Sequence, residues 1–202
     1  MITGNSNDQP TPKIRSSRGH AFWEIVQTTL LAFILAQLVV RFVAQPYHVE
    51  GASMQPTFHD GDYILTDKLS YLLREPRRGE VITFKAPINS QTSSGSETEF
   101  IKRVIGLPGD SVEFLDEAIV INNEKLEESY LPFPSLALGG NTIKGASEVT
   151  IPEGYYLVLG DNRGHSLDSR SFGFIKGEDI GGRAIFRYWP LSDVQTIIAP
   201  NY

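Results

Sequence analysis

The 202-residue chain contains no cysteine. That absence excludes disulfides, thiol catalysis and thiolate-held zinc, and it leaves the redox compartment open. Histidine is scarce as well: His20, His48, His59 and His165 show no metal-ligand spacing, so neither a metal nor another cofactor is expected. Long cationic runs are missing too. Lys and Arg never stand more than two together, and the formal charge is −6, so nothing resembles an electrostatic footprint for nucleic acid and no such partner is expected.

What is present suits one folded domain with an accessory segment, since 41% of the residues are hydrophobic over a length that can bury a proper core. Residues 1–21 are rich in Ser, Thr, Asn, Pro and Gly without an apolar period, which predicts a disordered tail. Lys13, Arg15 and Arg18 outnumber the single acid Asp8 there. Phe22 to Val43 is apolar over 22 residues, broken mainly by Glu24, Gln27, Thr28, Thr29 and Gln37. As a helix it would span about 33 Å, enough to cross a bilayer. Basic residues before it and a large acidic portion after it predict a cytoplasmic N-terminus, with the remainder outside.

Two other readings of that stretch fit less well. Its polar residues could belong to a buried core helix. A cleavable export signal would have a shorter apolar region and small residues before the cut. Here the run is long, Arg41 lies at its end, and Phe42 would occupy the third position before a cut after Ala44. An uncleaved anchor is the expectation, with 44–202 as the extracytoplasmic domain.

Beyond the anchor the chain reads as mainly β. Short apolar or alternating runs fall at Tyr63–Thr66, Glu80–Phe84, Phe100–Ile105, Val112–Ile121, Tyr155–Leu159 and Arg183–Tyr188. Turn signals separate them at Pro108-Gly109-Asp110, Asn122-Asn123, Gly139-Gly140-Asn141, Pro152-Glu153-Gly154 and Gly181-Gly182. Ala86–Thr98 and Leu131–Ser147 read as long connections, and no internal repeat is evident.

Three stretches could carry chemistry. In Gly51-Ala52-Ser53-Met54-Gln55-Pro56-Thr57 a serine sits between small residues with a proline three positions on. That composition suits a strained turn exposing a hydroxyl beside free N–H groups, and it equally describes an ordinary turn. In Glu99–Ile105, strand alternation puts Lys102 on one face with Phe100 and Val104, and Arg103 on the other with Ile101 and Ile105. A lysine among apolar neighbours loses its proton more readily and becomes a usable base, whereas on an edge strand it would snorkel to water. The third stretch, Gly160 to Arg170, follows an apolar strand with a dense polar run, and it reads as a hydrogen-bonded site or an exposed loop.

Taken in order, these boxes resemble the bacterial type I signal peptidases, a family of Ser/Lys endopeptidases. The resemblance rests on Ser53-Met54-Gln55-Pro56-Thr57, on Gly61-Asp62-Tyr63-Ile64, on Lys102-Arg103-Val104-Ile105-Gly106-Leu107-Pro108-Gly109-Asp110, and on Gly160-Asp161-Asn162-Arg163 with Ser166-Leu167-Asp168-Ser169-Arg170. It covers roughly residues 22–189. It implies a signal-peptidase-type antiparallel β-sheet domain preceded by a single transmembrane helix, held in the plasma membrane or another bacterial energy-transducing membrane. It implies Ser53 as nucleophile and Lys102 as the base that takes its proton and later delivers it to the leaving amine. Ser166 is implied to position the lysine ammonium by a hydrogen bond, Asp168 and Arg170 to form a supporting ion pair, and Asp161 and Arg163 to shape the same corner. The implied partners are signal-peptide-bearing preproteins cut after Ala-x-Ala-like sites, and the lipid bilayer, with the chain as a monomer.

Gly51 departs from family members that carry a serine there to assist the oxyanion hole, which must then rest on the Ser53 N–H, another donor or water. Ser53 lies ten residues after Val43, a reach of at most about 33–36 Å, so it is expected near the bilayer surface. Three rivals remain: a self-cleaving repressor-type Ser/Lys peptidase, a hydrolase using His59 or His165, and a tethered binding domain without turnover.

Overall fold

The computed structural model describes residues 18–87, 99–115, 118–131, 143, 146, 148–200 and 202. It divides into two units, Met1–Val39 and Val40–Tyr202. The long helix α1 spans Arg18–Phe42, and its described side chains from Gly19 to Val40 are all exposed. Gly19–Val40 is long and apolar enough to cross a membrane. The helix thus begins four residues before the expected Phe22, and Arg18–Ala21 belong to it rather than to the tail. No proline stands between Arg18 and Phe42 to stop the ladder from extending back from the apolar run. The rest of the expected tail lies outside the described residues.

The second unit is mainly antiparallel β-sheet. In chain order it contains β1 (Ala44–His48), β2 (Tyr63–Asp67), the single turn α2 (Ser70–Leu73), β3 (Val81–Lys85) and β4 (Glu99–Gly106). These are followed by β5 (Ser111–Phe114), β6 (Ile119–Ile121), β7 (Glu124–Lys125), β8 (Glu148–Thr150) and β9 (Tyr155–Leu159). The turn α3 (Ser169–Phe172), β10 (Ile175–Lys176), β11 (Ile180–Trp189) and β12 (Gln195–Thr196) complete it. The larger sheet runs β1-β2-β11-β3-β4-β9-β10, with β12 also on β11, and the smaller runs β7-β6-β5-β8.

Each of the six expected β runs is present, with corrections. Val112–Ile121 is two strands, because Leu115 N donates to Ala118 O and closes a hairpin between them. Gly181-Gly182 is not a turn: it lies inside β11, at a register shift between Ile180 and Gly182. β1 carried no alternation signal, since Pro46 interrupts it. It forms because it is an edge strand that, among the described residues, pairs only with β2, where a missing N–H can face outward. Of the two long connections, most of Ala86–Thr98 and Leu131–Ser147 lies outside the described residues, as does Gly139-Gly140-Asn141.

Three clusters of buried side chains support the site. One joins Val112 and Ile121 of the small sheet to Ile105 of β4 and Leu157 of β9 in the larger. A second gathers Val49, Met54, Phe58, Ile64, Val81, Ile101 and Ala184 beneath the loop joining β1 to β2. A third packs Ile82, Phe84, Val104, Tyr156, Val158 and Ile175, with Phe100 against it. β4 pairs with β3 over Glu99–Arg103 and with β9 only from Arg103 onward. Among the described residues, no strand pairs with Glu99–Lys102 on the side away from β3.

Candidate active site

The loop from Val49 to Asp62 is closed at its neck, with Val49 N donating to Asp62 O at 2.8 Å and Gly61 N to Val49 O at 3.0 Å. Met54 and Phe58 are 1% and 0% exposed and nail the loop into the second cluster. Each contributes on the order of 2–5 kcal/mol relative to alanine, so the residue preceding Met54 has little freedom. That residue is Ser53. Gly51 stands at φ +85° with open space around it, and its N–H donates to Asp60 Oδ1 at 2.7 Å. The Ser53 N–H makes no hydrogen bond among the described residues and is free to serve an oxyanion.

β4 brings Lys102 to that serine. Its Nζ donates to Ser53 Oγ at 2.7 Å and to Ile101 O at 2.9 Å, and lies 5.4 Å from the centre of the Phe100 ring. Lys102 is 4% exposed. Burial pushes its ammonium down from 10.5 to about 8, against the upward pull of Asp168 and Asp161. Neither imidazole of the histidine rivals touches the Ser53 hydroxyl: His59 and His165 are exposed.

The polar run after β9 fastens both elements. Gly160 N donates to Asp168 Oδ2 at 3.0 Å, and Arg170 grips Asp168 with two bonds of 2.9 Å, from Nε to Oδ1 and from Nη2 to Oδ2. Asp161 is held instead by Arg103, through Nε to Oδ1 at 2.8 Å and Nη2 to Oδ2 at 2.6 Å, with Thr57 Oγ1 donating at 2.5 Å. Arg163 pairs with Glu128 and donates to Gly160 O and the Tyr130 hydroxyl. The Arg103 guanidinium lies 3.9 Å over the Tyr130 ring. Asp161 and Arg163 therefore do occupy one corner, each with a partner from elsewhere in the chain.

Sequence reasoning named no role for Arg103, Thr57, Asn162, Glu128 or Tyr130. Asn162 lies within a quoted box and clamps the Ser53 turn twice, its N–H to Ser53 O and its Nδ2 to Ala52 O, both at 3.0 Å. Glu128 and Tyr130 carried no signal, because Glu127-Glu128-Ser129-Tyr130 reads as an ordinary polar loop. One implied contact is not made. The Ser166 hydroxyl is buried without a hydrogen-bond partner, and the Lys102 ammonium gives its two bonds to Ser53 and Ile101.

A buried lysine within hydrogen-bond reach of a serine, fixed by a carboxylate-arginine frame, can generate a nucleophile for acyl transfer. A family model described as signal peptidase, peptidase S26, matches residues 22–189. The chain belongs to that family. It is accordingly a serine endopeptidase.

The peptidase is 36% identical over 193 residues to a probable signal peptidase I-2 of Synechocystis, covering 96% of this chain and 85% of that one. It is 35% identical over 189 residues to signal peptidase IB of Staphylococcus aureus, covering 88% of this chain and 95% of the relative. The crystal structure of a signal peptidase I from Enterococcus faecalis aligns over 55% of this chain and 97% of that one, at 35% identity and a TM-score of 0.41. Membership brings with it the family's membrane anchoring, which the apolar helix α1 suits.

In this peptidase Gly160 is where the late box meets the turn that carries Ser53. A Cβ there would come within 2.5 Å of Ser53 O and 2.2 Å of Ser166 Oγ. The Ser53 carbonyl is backbone held by Asn162 and cannot swing aside as a flexible side chain would. Gly160→Ala is therefore expected to lower kcat by about 10²-fold, the size of effect that a 1 Å misplacement brings. Steady-state kinetics checks this, and an unchanged kcat would mean that the turn yields without moving Ser53 Oγ.

Proposed function

We propose that the peptidase removes N-terminal signal peptides from exported preproteins, with Ser53 as nucleophile and Lys102 as general base. The observation that carries the reading is the 2.7 Å contact between Ser53 Oγ and a lysine amine that burial has brought to about 8. A neutral Lys102 amine accepts the Ser53 proton as Oγ attacks the scissile carbonyl carbon. The resulting oxyanion is held by the Ser53 N–H. The ammonium then protonates the leaving amine, and an ester on Ser53 remains. Lys102 next deprotonates a water that attacks the ester, and proton return to Ser53 closes the cycle.

The surrounding residues have supporting parts. Asp168 and Arg170 hold the chain that packs against the turn, and Asp161 and Arg163 fix the corner behind it. Ser166, with its unpaired hydroxyl, is the group available to orient the lysine amine. Among the described residues no strand covers the side of Glu99–Lys102 away from β3, where an extended substrate can add as a strand beside the dyad and place small residues at the cut. The helix α1 holds the enzyme as a single-pass anchor with its N-terminus in the cytoplasm and 44–202 outside, in the plasma membrane or another energy-transducing membrane. Sharing one bilayer with the preprotein raises their effective concentration. The chain acts as a monomer.

The test is cleavage of a preprotein bearing an Ala-x-Ala site, read by mass spectrometry with the full chain in detergent. A cut after the second alanine that is absent in Ser53→Ala is expected. Cleavage surviving in Ser53→Ala overturns the reading. The pH profile supplies a second test. Only the neutral amine is competent, so kcat/KM should rise with pH through about 8 and level above it. Asp161 pulls the lysine upward, so Asp161→Asn should move that rising limb to lower pH. A limb in the histidine range, lost on substitution of His59 or His165, would return the base to an imidazole.

A further inference from the structure

Arg103 stands where β4, the Ser53 loop and the late box meet, and it bonds all three from the edge of its guanidinium. Nε and Nη2 hold the two oxygens of Asp161, Nη1 donates to Gly79 O at 2.8 Å, and Nη2 also donates to Thr57 Oγ1 at 3.2 Å. A planar fork bonds a planar carboxylate twice only while the two planes stay aligned, so the tilt of the guanidinium decides whether both bonds survive. A contact on its face fixes that tilt most directly. The Tyr130 ring supplies one, with its centre 3.9 Å from the guanidinium carbon, and a cation so placed is drawn to the negative face of the ring.

The ring is itself tied down. The Tyr130 hydroxyl donates to Glu128 Oε1 at 2.7 Å and accepts from Arg163 Nη2 at 3.2 Å, while Glu128 and Arg163 form a buried ion pair. The loop after β7, which leaves the smaller sheet, thus reaches an arginine of the larger one. What lies behind that arginine is the dyad. Asp161 accepts from Thr57, in the same loop as Ser53, and its neighbour Asn162 holds Ser53 O. Asp161 and Asp168 are also the carboxylates that act on Lys102, whose other neighbours are the Ser53 hydroxyl and the Phe100 ring. Asp168 is paired with Arg170; Asp161 is paired with Arg103 and also faces Arg163. Arg103 in turn faces the Tyr202 phenol as well as Tyr130.

We propose that Tyr130 is a positioning residue of this peptidase: its ring holds the Arg103 guanidinium in the plane of the Asp161 carboxylate, and through Asp161 it sets the charge felt at the Ser53–Lys102 pair. This rests on the dyad proposed above. Without the ring the guanidinium tilts, the Asp161 charge is less fully compensated, and the Lys102 ammonium keeps its proton to higher pH.

The test follows kcat/KM for the Ala-x-Ala preprotein across pH, with the full chain in detergent. Tyr130→Leu is expected to move the rising limb up by about half a pH unit, so that kcat/KM falls about threefold at pH 7 and regains the wild-type value at pH 10. Tyr130→Phe keeps the ring and is expected to keep the limb. A uniform fall at every pH in Tyr130→Leu overturns the proposal, because loss of packing alone would do that. A limb moved as far by Tyr130→Phe also overturns it, since the hydroxyl and not the face would then be at work. If Tyr130→Leu does not fold, phenylalanines carrying successive ring fluorines at position 130 keep the shape while draining the face of negative charge. The limb should climb with each fluorine, and a limb indifferent to fluorine overturns the proposal. A further readout needs no activity. The urea midpoint should fall in Tyr130→Leu against wild type but not in an Arg103→Met background, and equal falls in both sink the coupling. Cleavage that survives Ser53→Ala strikes the function proposed above and leaves this urea comparison to decide on the ring.

Discussion

Lys102→Met should lower kcat/KM for preprotein cleavage by about 10²–10⁴-fold, the range for loss of a positioned general base. The Ser53 loop is held by Met54, Phe58 and Asn162, not by the lysine, so the serine stays in place and the loss falls on its activation. Lys102→Arg should recover nothing, because a guanidinium does not give up its proton in this pH range. Lys102→Met should not lower thermal stability, and below pH 8 it should raise it. The folded protein binds the Lys102 proton less tightly than the unfolded chain, 10.5 falling to about 8, so holding the ammonium costs the fold roughly 3 kcal/mol below pH 8. That cost fades as the pH rises from 8 to 10.5, where the unfolded chain also loses the proton. The gain of Lys102→Met over wild type should shrink across the same window. Unfolding curves taken at pH 6.5 and pH 10.5, beside cleavage rates, check both halves. A variant that loses activity and stability together at pH 6.5 would show that the lysine serves chiefly as scaffold.

The second large effect concerns the frame behind the dyad. Arg103→Met leaves the Asp161 carboxylate, whose side chain is 0% exposed, with Thr57 alone among the described residues as its hydrogen-bonding side-chain partner. Removing one member of a buried pair costs about 3–5 kcal/mol, since the remaining charge has lost its water and its counter-ion together. A comparable loss is expected in urea unfolding for Arg103→Met. The double variant Arg103→Met/Asp161→Leu should recover most of it, because no orphaned charge is then left. A single-variant cost below 1 kcal/mol would mean that water reaches Asp161. The unpaired Asp161 should also draw the Lys102 amine upward and move the rising limb of kcat/KM to higher pH, a readout that a general loss of stability would not produce.

The anchor and the larger β runs were legible because each follows from a local period. An apolar stretch of helical length needs no partner to be recognised, and alternation in 100–105 marks a strand wherever it lies. Edge and short strands were not: β1 contains Pro46, and β7, β10 and β12 are two residues each, too brief to show a period. The hairpin inside Val112–Ile121 was missed because its flanks continue the apolar pattern. Gly181-Gly182 was misread because a bulge and a turn draw on the same residues. At the site, the order of boxes nominated Ser53 and Lys102, yet an implied contact from Ser166 is unmade, and the partners of Asp161 and Arg163 come from β4 and from a loop after β7.

The amino-acid sequence by itself determined the anchor stretch, the β character, the family and the residues able to do acyl chemistry, since each depends on residue type and short-range order. Only the tertiary structure decided that Ser53 and Lys102, 49 residues apart, lie 2.7 Å from one another, that the lysine is buried enough to lose its proton near pH 8, and which arginine faces which carboxylate. Those outcomes follow from strand register and burial, and register is set by the whole sheet at once. No single segment states which strand will lie beside it, or how much water will be left when it does.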